Sequence, residues 1–196
     1  MFRAIDFDHP PVGRHTNNSL PAYRFVPGDL DTPHPTDDPR GHSFHTDEAP
    51  VSPAPTSIDQ PENWVHCSVY LYGCDLYNHA YWWEAHEAWE DIWRECRRGS
   101  AQFEFLQALI QYSAAALKIR QRKPRGLQQL LTTAGDHMRQ AIQCGASPVY
   151  MGIDIQLWHN ELDAYYTPML HNPDISMHHD ACAFPYIRLV MPESDP

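Results

Sequence analysis

The side chains best suited to chemistry are concentrated in residues 81–93, which read YWWEAHEAWEDIW. This stretch holds four of the chain's six tryptophans around a single histidine, His86. At 100° per helical residue, Glu90 lies about 40° from His86 and Glu87 about 100° away. A histidine and carboxylates in an aromatic environment have the shifted pKa values that acid–base catalysis uses, and they also bind metal ions. We therefore take His86, Glu87 and Glu90 as candidate catalytic residues, and His86 and Glu90 as candidate ligands of a divalent metal ion.

The same pattern also has a purely structural interpretation. His86 and Glu90 lie one helical turn apart, so they can pair with each other and satisfy polar atoms within an aromatic core. On the opposite face the helical wheel places Glu84, Asp91 and Glu95, which we expect to be ordinary solvated charges.

Comparison with known motifs removes several kinds of active site. The sequence HEAWE begins like the zinc-protease motif HExxH, but Glu90 stands where the second histidine is needed. The chain has no Glu-x-x-His, which di-iron bundles need on two helices, and no Gly-x-Ser-x-Gly elbow. If a reaction occurs, hydrolysis fits best, with a carboxylate that positions water while His86 binds a metal or transfers a proton. Whether the protein is an enzyme stays open at this point.

Apolar periodicity predicts an all-α fold, about five helices in an antiparallel bundle built from helix hairpins. The predicted helices cover about 62–77, Asn78 (as the N-cap) to Arg97, Gln102 to Arg120, Pro124 to Gly145, and Asp154 to just before Pro168. Residues 1–61 hold 11 of the 18 prolines and are predicted to form an extended arm. We expect the bundle domain to span 62–167, followed by an irregular tail, 168–196, in which YIRLV is a short strand or an extended segment on the bundle.

A polar stripe interrupts the otherwise apolar third helix. Its members are Glu104, Gln107, Gln111 and Lys118. If the stripe faces the second helix, the amides of Gln107 and Gln111 hold His86 and Glu90, or a ligand between them. Otherwise it is the helix's narrow solvent-facing edge, and the sequence favours neither.

The arm carries three histidines, His34, His42 and His45, among aspartates that are candidate metal ligands. We favour the interpretation that the arm packs Tyr23, Phe25 and Phe44 onto the bundle. Such an arm could also cover a pocket.

Charge and hydropathy limit the partners. The net charge is −11 and the pI about 5.5, so nucleic acid and anionic membranes would be repelled. No apolar run approaches membrane-spanning length, and the five cysteines form no CxxC pair, which suits reduced thiols. We expect a soluble, cytoplasmic protein.

Two blocks of sequence carry a family resemblance. The block Asn-x-x-Tyr-x-x-Glu-Ala-His-Glu at 78–87, followed by Leu-Ile-Gln at 109–111, resembles the bacterial and archaeal domain of unknown function number 309 over roughly 64–143. The resemblance implies a small helical bundle and no established reaction. The positions that it singles out are Asn78, Tyr81, Glu84, His86, Glu87, Glu90 and Gln111. For Glu84, which the wheel turns outward, the interpretation consistent with the motif is a contact with the arm.

Two functions from different classes follow. The first is a small-molecule or metal site around His86, Glu87 and Glu90 that is closed by the third helix. The second is a non-enzymatic helical module that binds a partner protein and in which His86 and Glu90 are a structural pair. The aromatic side chains of Trp83 and Tyr81 lie on different sides of the second helix, which also predicts a homodimer.

Overall fold

The computed structural model describes residues 5–44, 60–171 and 184–192. A 3₁₀ helix, Pro61–His66, leads into five α-helices and one two-stranded antiparallel ribbon. The α-helices are α1 (Ser68–Asn78), α2 (Trp82–Glu95), α3 (Ala101–Arg120), α4 (Pro124–Gln143) and α5 (Ile155–His171). The strands are β1 (Val149–Tyr150) and β2 (Ile153–Asp154), with Val149 opposite Asp154. The predicted all-α class is confirmed.

Helix α3 is the centre of the bundle. It packs against α2 on one side and α4 on the other, and most of its side chains are buried. It begins where the Ser100 hydroxyl accepts a hydrogen bond from the Phe103 N–H at 3.1 Å. The sequence prediction was one residue short at this end, and the predicted position in the middle of the bundle is correct.

The first two helices differ from their predicted limits. The expected single helix over 62–77 is interrupted at Cys67, whose extended backbone (φ −88°, ψ 95°) separates the 3₁₀ helix from α1. Asn78 was predicted to cap α2, but it is the last residue of α1 and is buried. A turn through Ala80, at φ +62°, takes the chain to α2, which starts at Trp82. The N-cap prediction is therefore wrong, because the turn uses three further residues.

Helix α5 begins as predicted and ends later. The Asp154 carboxylate accepts a hydrogen bond from the Leu157 N–H at 2.9 Å, which is the expected N-cap. The helix was expected to close before Pro168, yet it continues to His171. Proline lacks an N–H and crowds the carbonyl four residues earlier, here that of Ala164, but only the last turn of the helix is affected.

Both chain ends pack onto the turn between α1 and α2. From the arm, Arg24 Nε donates to the His79 carbonyl at 2.8 Å, and Phe25 is buried. From the C-terminal side, the Asn78 amide donates to the Ile187 carbonyl at 2.9 Å and accepts from the Ile187 N–H at 2.8 Å. Residues 186–190 form an extended segment on the bundle and not a strand, which decides between the two alternatives for YIRLV.

Candidate functional site

Helix α2 brings its histidine and two of its glutamates together. One ligand atom from each of His86, Glu87 and Glu90 can be chosen so that all three lie within 4.8 Å of one another. The distance from His86 Nε2 to Glu90 Oε2 is 3.6 Å. The spacing i, i+1 and i+4 produces this cluster because residues one turn apart lie on the same helix face.

The cluster lies at the edge of the core and not within it. The side chains of His86 and Glu90 are 30% and 26% exposed. The fully buried centre of α2 is formed by Ala85, Trp89 and Ile92. On the helical wheel that centre lies about 90° from His86. The expectation that His86 and Glu90 lie within an aromatic core is therefore wrong, because the buried face of α2 is centred on Ala85 and Ile92 and is directed away from the histidine. As a consequence the imidazole is accessible from solvent.

Glu87 and Glu90 have different surroundings. Burial raises the pKa of Glu87, while nearby His86 lowers it and Glu90 raises it. Glu90 Oε1 lies 3.2 Å from an Arg94 guanidinium nitrogen. Sequence analysis missed Arg94, although its position four residues after Glu90 is the spacing of a helical ion pair. A bound cation would have to compete with this guanidinium for Glu90.

Among the residues of α2 that the helical wheel placed, Glu84 differs most from its predicted exposure. It is only 6% exposed, and its Oε1 accepts a hydrogen bond from the Phe25 N–H at 3.0 Å and lies 3.1 Å from His42 Nε2. Burial raises its pKa, and the hydrogen bonds with Phe25 and His42 oppose that rise. The expectation that Glu84 is solvated is wrong, and the expected contact with the arm is confirmed. Asp91 and Glu95 are exposed, as expected.

The other supporting residues hold the two chain ends. Asn78 binds Ile187, as described above. Tyr81 is buried, and the Arg24 guanidinium lies 5.0 Å from its ring centroid. Neither observation places these residues on the His86 cluster. Their role in this structure is to seat the arm and the C-terminal segment beside the start of α2.

The polar stripe of α3 is directed towards α4 at two of its positions. Glu104 Oε2 lies 2.6 Å from His137 Nδ1, and Gln111 Oε1 accepts a hydrogen bond from the Thr133 hydroxyl. Both partners lie on α4. The stripe is therefore not simply a solvent-facing edge, and the Gln111 side chain binds α4 and not His86 or Glu90.

The arm covers the outer side of α2. Rings of Phe25 and His34 contact Trp83, with centroid distances of 5.2 and 5.6 Å. His42 pairs with Glu84, whereas His45 lies outside the described residues. The packing interpretation of the arm is confirmed for Phe25. Trp83 contacts the arm of its own chain, and the homodimer stays a prediction.

Comparison with known proteins agrees with the sequence resemblance. Residues 70–130 match the family model described as domain of unknown function DUF309. The match covers less than a third of the chain, from α1 to the first turns of α4, and it includes the whole His86 cluster. No curated protein matches the chain. Among the described helices none combines the length and apolar character needed to cross a membrane.

Proposed function

We propose that this DUF309-like helical protein binds a divalent metal ion through His86, Glu87 and Glu90 and uses the site for hydrolysis of a small molecule. The observation that carries the proposal is the approach of three ligand atoms to within 4.8 Å of one another. Ligand atoms around one tetrahedral zinc ion lie about 3.3 Å apart, as follows from metal–ligand distances near 2.0 Å. Small side-chain rotations on α2 would close that difference.

The number and exposure of the ligands favour a catalytic site over a structural one. Structural zinc sites use four protein ligands, whereas catalytic sites use three and leave a position for water or substrate. This cluster offers three ligands, and the partial exposure of His86 leaves the remaining positions open to solvent. A bound divalent ion would make a coordinated water more acidic and thus more nucleophilic at neutral pH.

The chain's own residues then have distinct roles. The imidazole of His86 and the carboxylate of Glu90 are the ligands that fix the ion on α2. Glu87 is the third ligand, and since a carboxylate has two oxygens, the one that does not hold the ion can accept a proton from water. Arg94, which pairs with Glu90, keeps that carboxylate oriented and lowers its affinity for a cation.

The first experiment is metal analysis by plasma mass spectrometry on the untagged full chain after exposure to zinc or manganese. We expect about one ion per chain in the wild type, and its loss in His86→Ala and Glu90→Gln. Glu95→Gln is the matched control, because Glu95 is an exposed carboxylate on the same helix. Arg94→Gln should tighten binding, since it removes the competing positive charge.

A second measurement separates binding from catalysis. Glu87→Gln should abolish metal-dependent hydrolysis of activated ester or phosphoester substrates more completely than it reduces metal content. A folded wild-type chain that binds neither zinc nor manganese would overturn the metal site. It would leave His86 and Glu90 as a structural ion pair in a non-enzymatic module, the other function that the sequence allows.

A further inference from the structure

A second site is indicated by a cavity between α3, α4 and α5. Its volume is about 350 Å³, near the lower end of the range of about 300–1,000 Å³ for small-molecule pockets. None of the three α2 residues proposed to bind metal lines it. The polar side chains that matter here are Tyr112, Arg139, His159, Asp163 and Tyr166.

Two of the side chains that line this cavity, His159 and Tyr166, each carry a buried polar atom that has no hydrogen-bond partner within the described residues. His159 Nε2 lies 3.5 Å from Asp163 Oδ2, while the other ring nitrogen, Nδ1, is buried without a hydrogen-bond partner. The hydroxyl of Tyr166 interacts with that of Tyr77, but neither oxygen makes a hydrogen bond of good geometry. Because both atoms are buried, a ligand in the cavity would reach them only after these side chains rotate.

The cavity presents one positive and one negative side chain near the same point. Burial raises the pKa of Tyr112, Asp163 raises it further and Arg139 opposes the rise, so both charges act on this phenol. Gly135 leaves space between the donors, since a Cβ there would lie 3.6 Å from Arg139 Nη1 and 4.0 Å from the Tyr112 hydroxyl. Arg139 pairs with Asp136, but a guanidinium has five N–H donors and keeps others for a ligand.

We propose that this cavity binds a small zwitterion with an apolar side chain, of the class of a free aliphatic α-amino acid. The ligand carboxylate would accept hydrogen bonds from Arg139 and the Tyr112 hydroxyl. Its ammonium group would donate to the exposed carboxylate of Asp163. Leu131, Leu162 and Leu170 also line the cavity and would contact the aliphatic part.

The test uses three related probes with the full-length chain in isothermal titration calorimetry. L-Leucine carries both charges, 4-methylpentanoate lacks the ammonium group, and 3-methylbutylamine lacks the carboxylate. We expect leucine to bind, and each truncated probe to bind at least about tenfold more weakly, because Arg139 or Asp163 then has no group of opposite charge to contact. If either truncated probe binds as tightly as leucine, the zwitterion assignment is wrong.

Two variants test whether leucine binds in this cavity. Gly135→Leu fills the space and should abolish leucine binding. Arg139 is exposed, so Arg139→Gln should leave folding intact, and it should weaken leucine and 4-methylpentanoate about tenfold while leaving 3-methylbutylamine unchanged. The proposal is overturned if leucine shows no binding at about 10 mM, a concentration that would detect even millimolar affinity. Leucine binding that is unaffected by Arg139→Gln would overturn it equally.

Discussion

The buried carboxylate of Glu84 should control whether the N-terminal arm stays on the bundle. Its Oε1 accepts a hydrogen bond from the Phe25 N–H at 3.0 Å and lies 3.1 Å from His42 Nε2. Glu84→Ala leaves the Phe25 N–H without this acceptor in a residue that is only 6% exposed. The loss of an acceptor from a buried donor costs about 1–3 kcal/mol.

The cost should appear as local opening and not as global unfolding. Other contacts also hold the arm: the Asp75 carboxylate accepts backbone N–H groups from His15 and Thr16, and Arg24 binds the His79 carbonyl. The contacts of His15 and Thr16 are remote from Phe25 in the arm sequence and should persist. We therefore expect the free energy of opening around Phe25 to fall by about 1–3 kcal/mol, which corresponds to about 5–150-fold faster amide exchange.

Hydrogen–deuterium exchange followed by mass spectrometry measures this directly on peptides that contain Phe25. Glu95→Ala is the control, because it makes the same substitution at an exposed site of the same helix. Glu84→Gln should keep most of the protection, since its amide oxygen can still accept the Phe25 N–H. Equal exchange at Phe25 in Glu84→Ala and wild type would refute the reasoning.

Three further predictions concern the whole fold. Burial raises the pKa of Glu84, so its contribution to stability is full below the unfolded pKa and falls as pH rises through the native pKa. Glu84→Gln should lack that decline in urea midpoints measured from about pH 4 upward. Asn78→Ala leaves both backbone groups of Ile187 unpaired and should lower the free energy of unfolding in urea by about 2–6 kcal/mol, so an unchanged midpoint would contradict the role of Asn78 in holding Ile187. Gly73→Ala places a Cβ within the Trp89 indole, and thermal unfolding should show a net loss of about 1–3 kcal/mol although alanine favours helix.

Periodicity within single helices predicted most of the bundle. α3 differs from its predicted limits by one residue, and the inward residues of α5, Trp158, Leu162 and Tyr165, are buried as expected. These predictions succeed because an apolar stripe must face another element. The break at Cys67 was not predictable in this way, because the apolar spacing continues through it.

The candidate site shows where a single helix is insufficient. The sequence identified the carboxylates of Glu87 and Glu90 beside His86, and the structure brings all three together. It misplaced Glu84, because the helical wheel assumes one buried face and the arm creates a second. The adjacent Trp83 was the available sign that this side of α2 is covered.

The cavity between α3, α4 and α5 also could not be predicted from the sequence. His159 and Asp163 are visible as an i, i+4 pair on α5, but their proximity to Arg139 depends on how α4 and α5 pack. No local pattern encodes that distance.

The contacts of the α1–α2 turn also set an order for folding on the ribosome. Phe25 must wait for Glu84, which is made 59 residues later, and Asn78 must wait for Ile187, 109 residues later. At synthesis rates of about 5–20 residues per second, the arm remains undocked for roughly 3–12 s. We expect these contacts to be absent from the folding transition state as well, so that their loss accelerates unfolding and leaves the folding rate nearly unchanged. The arm and the C-terminal segment would thus determine the lifetime of the native state through the unfolding rate.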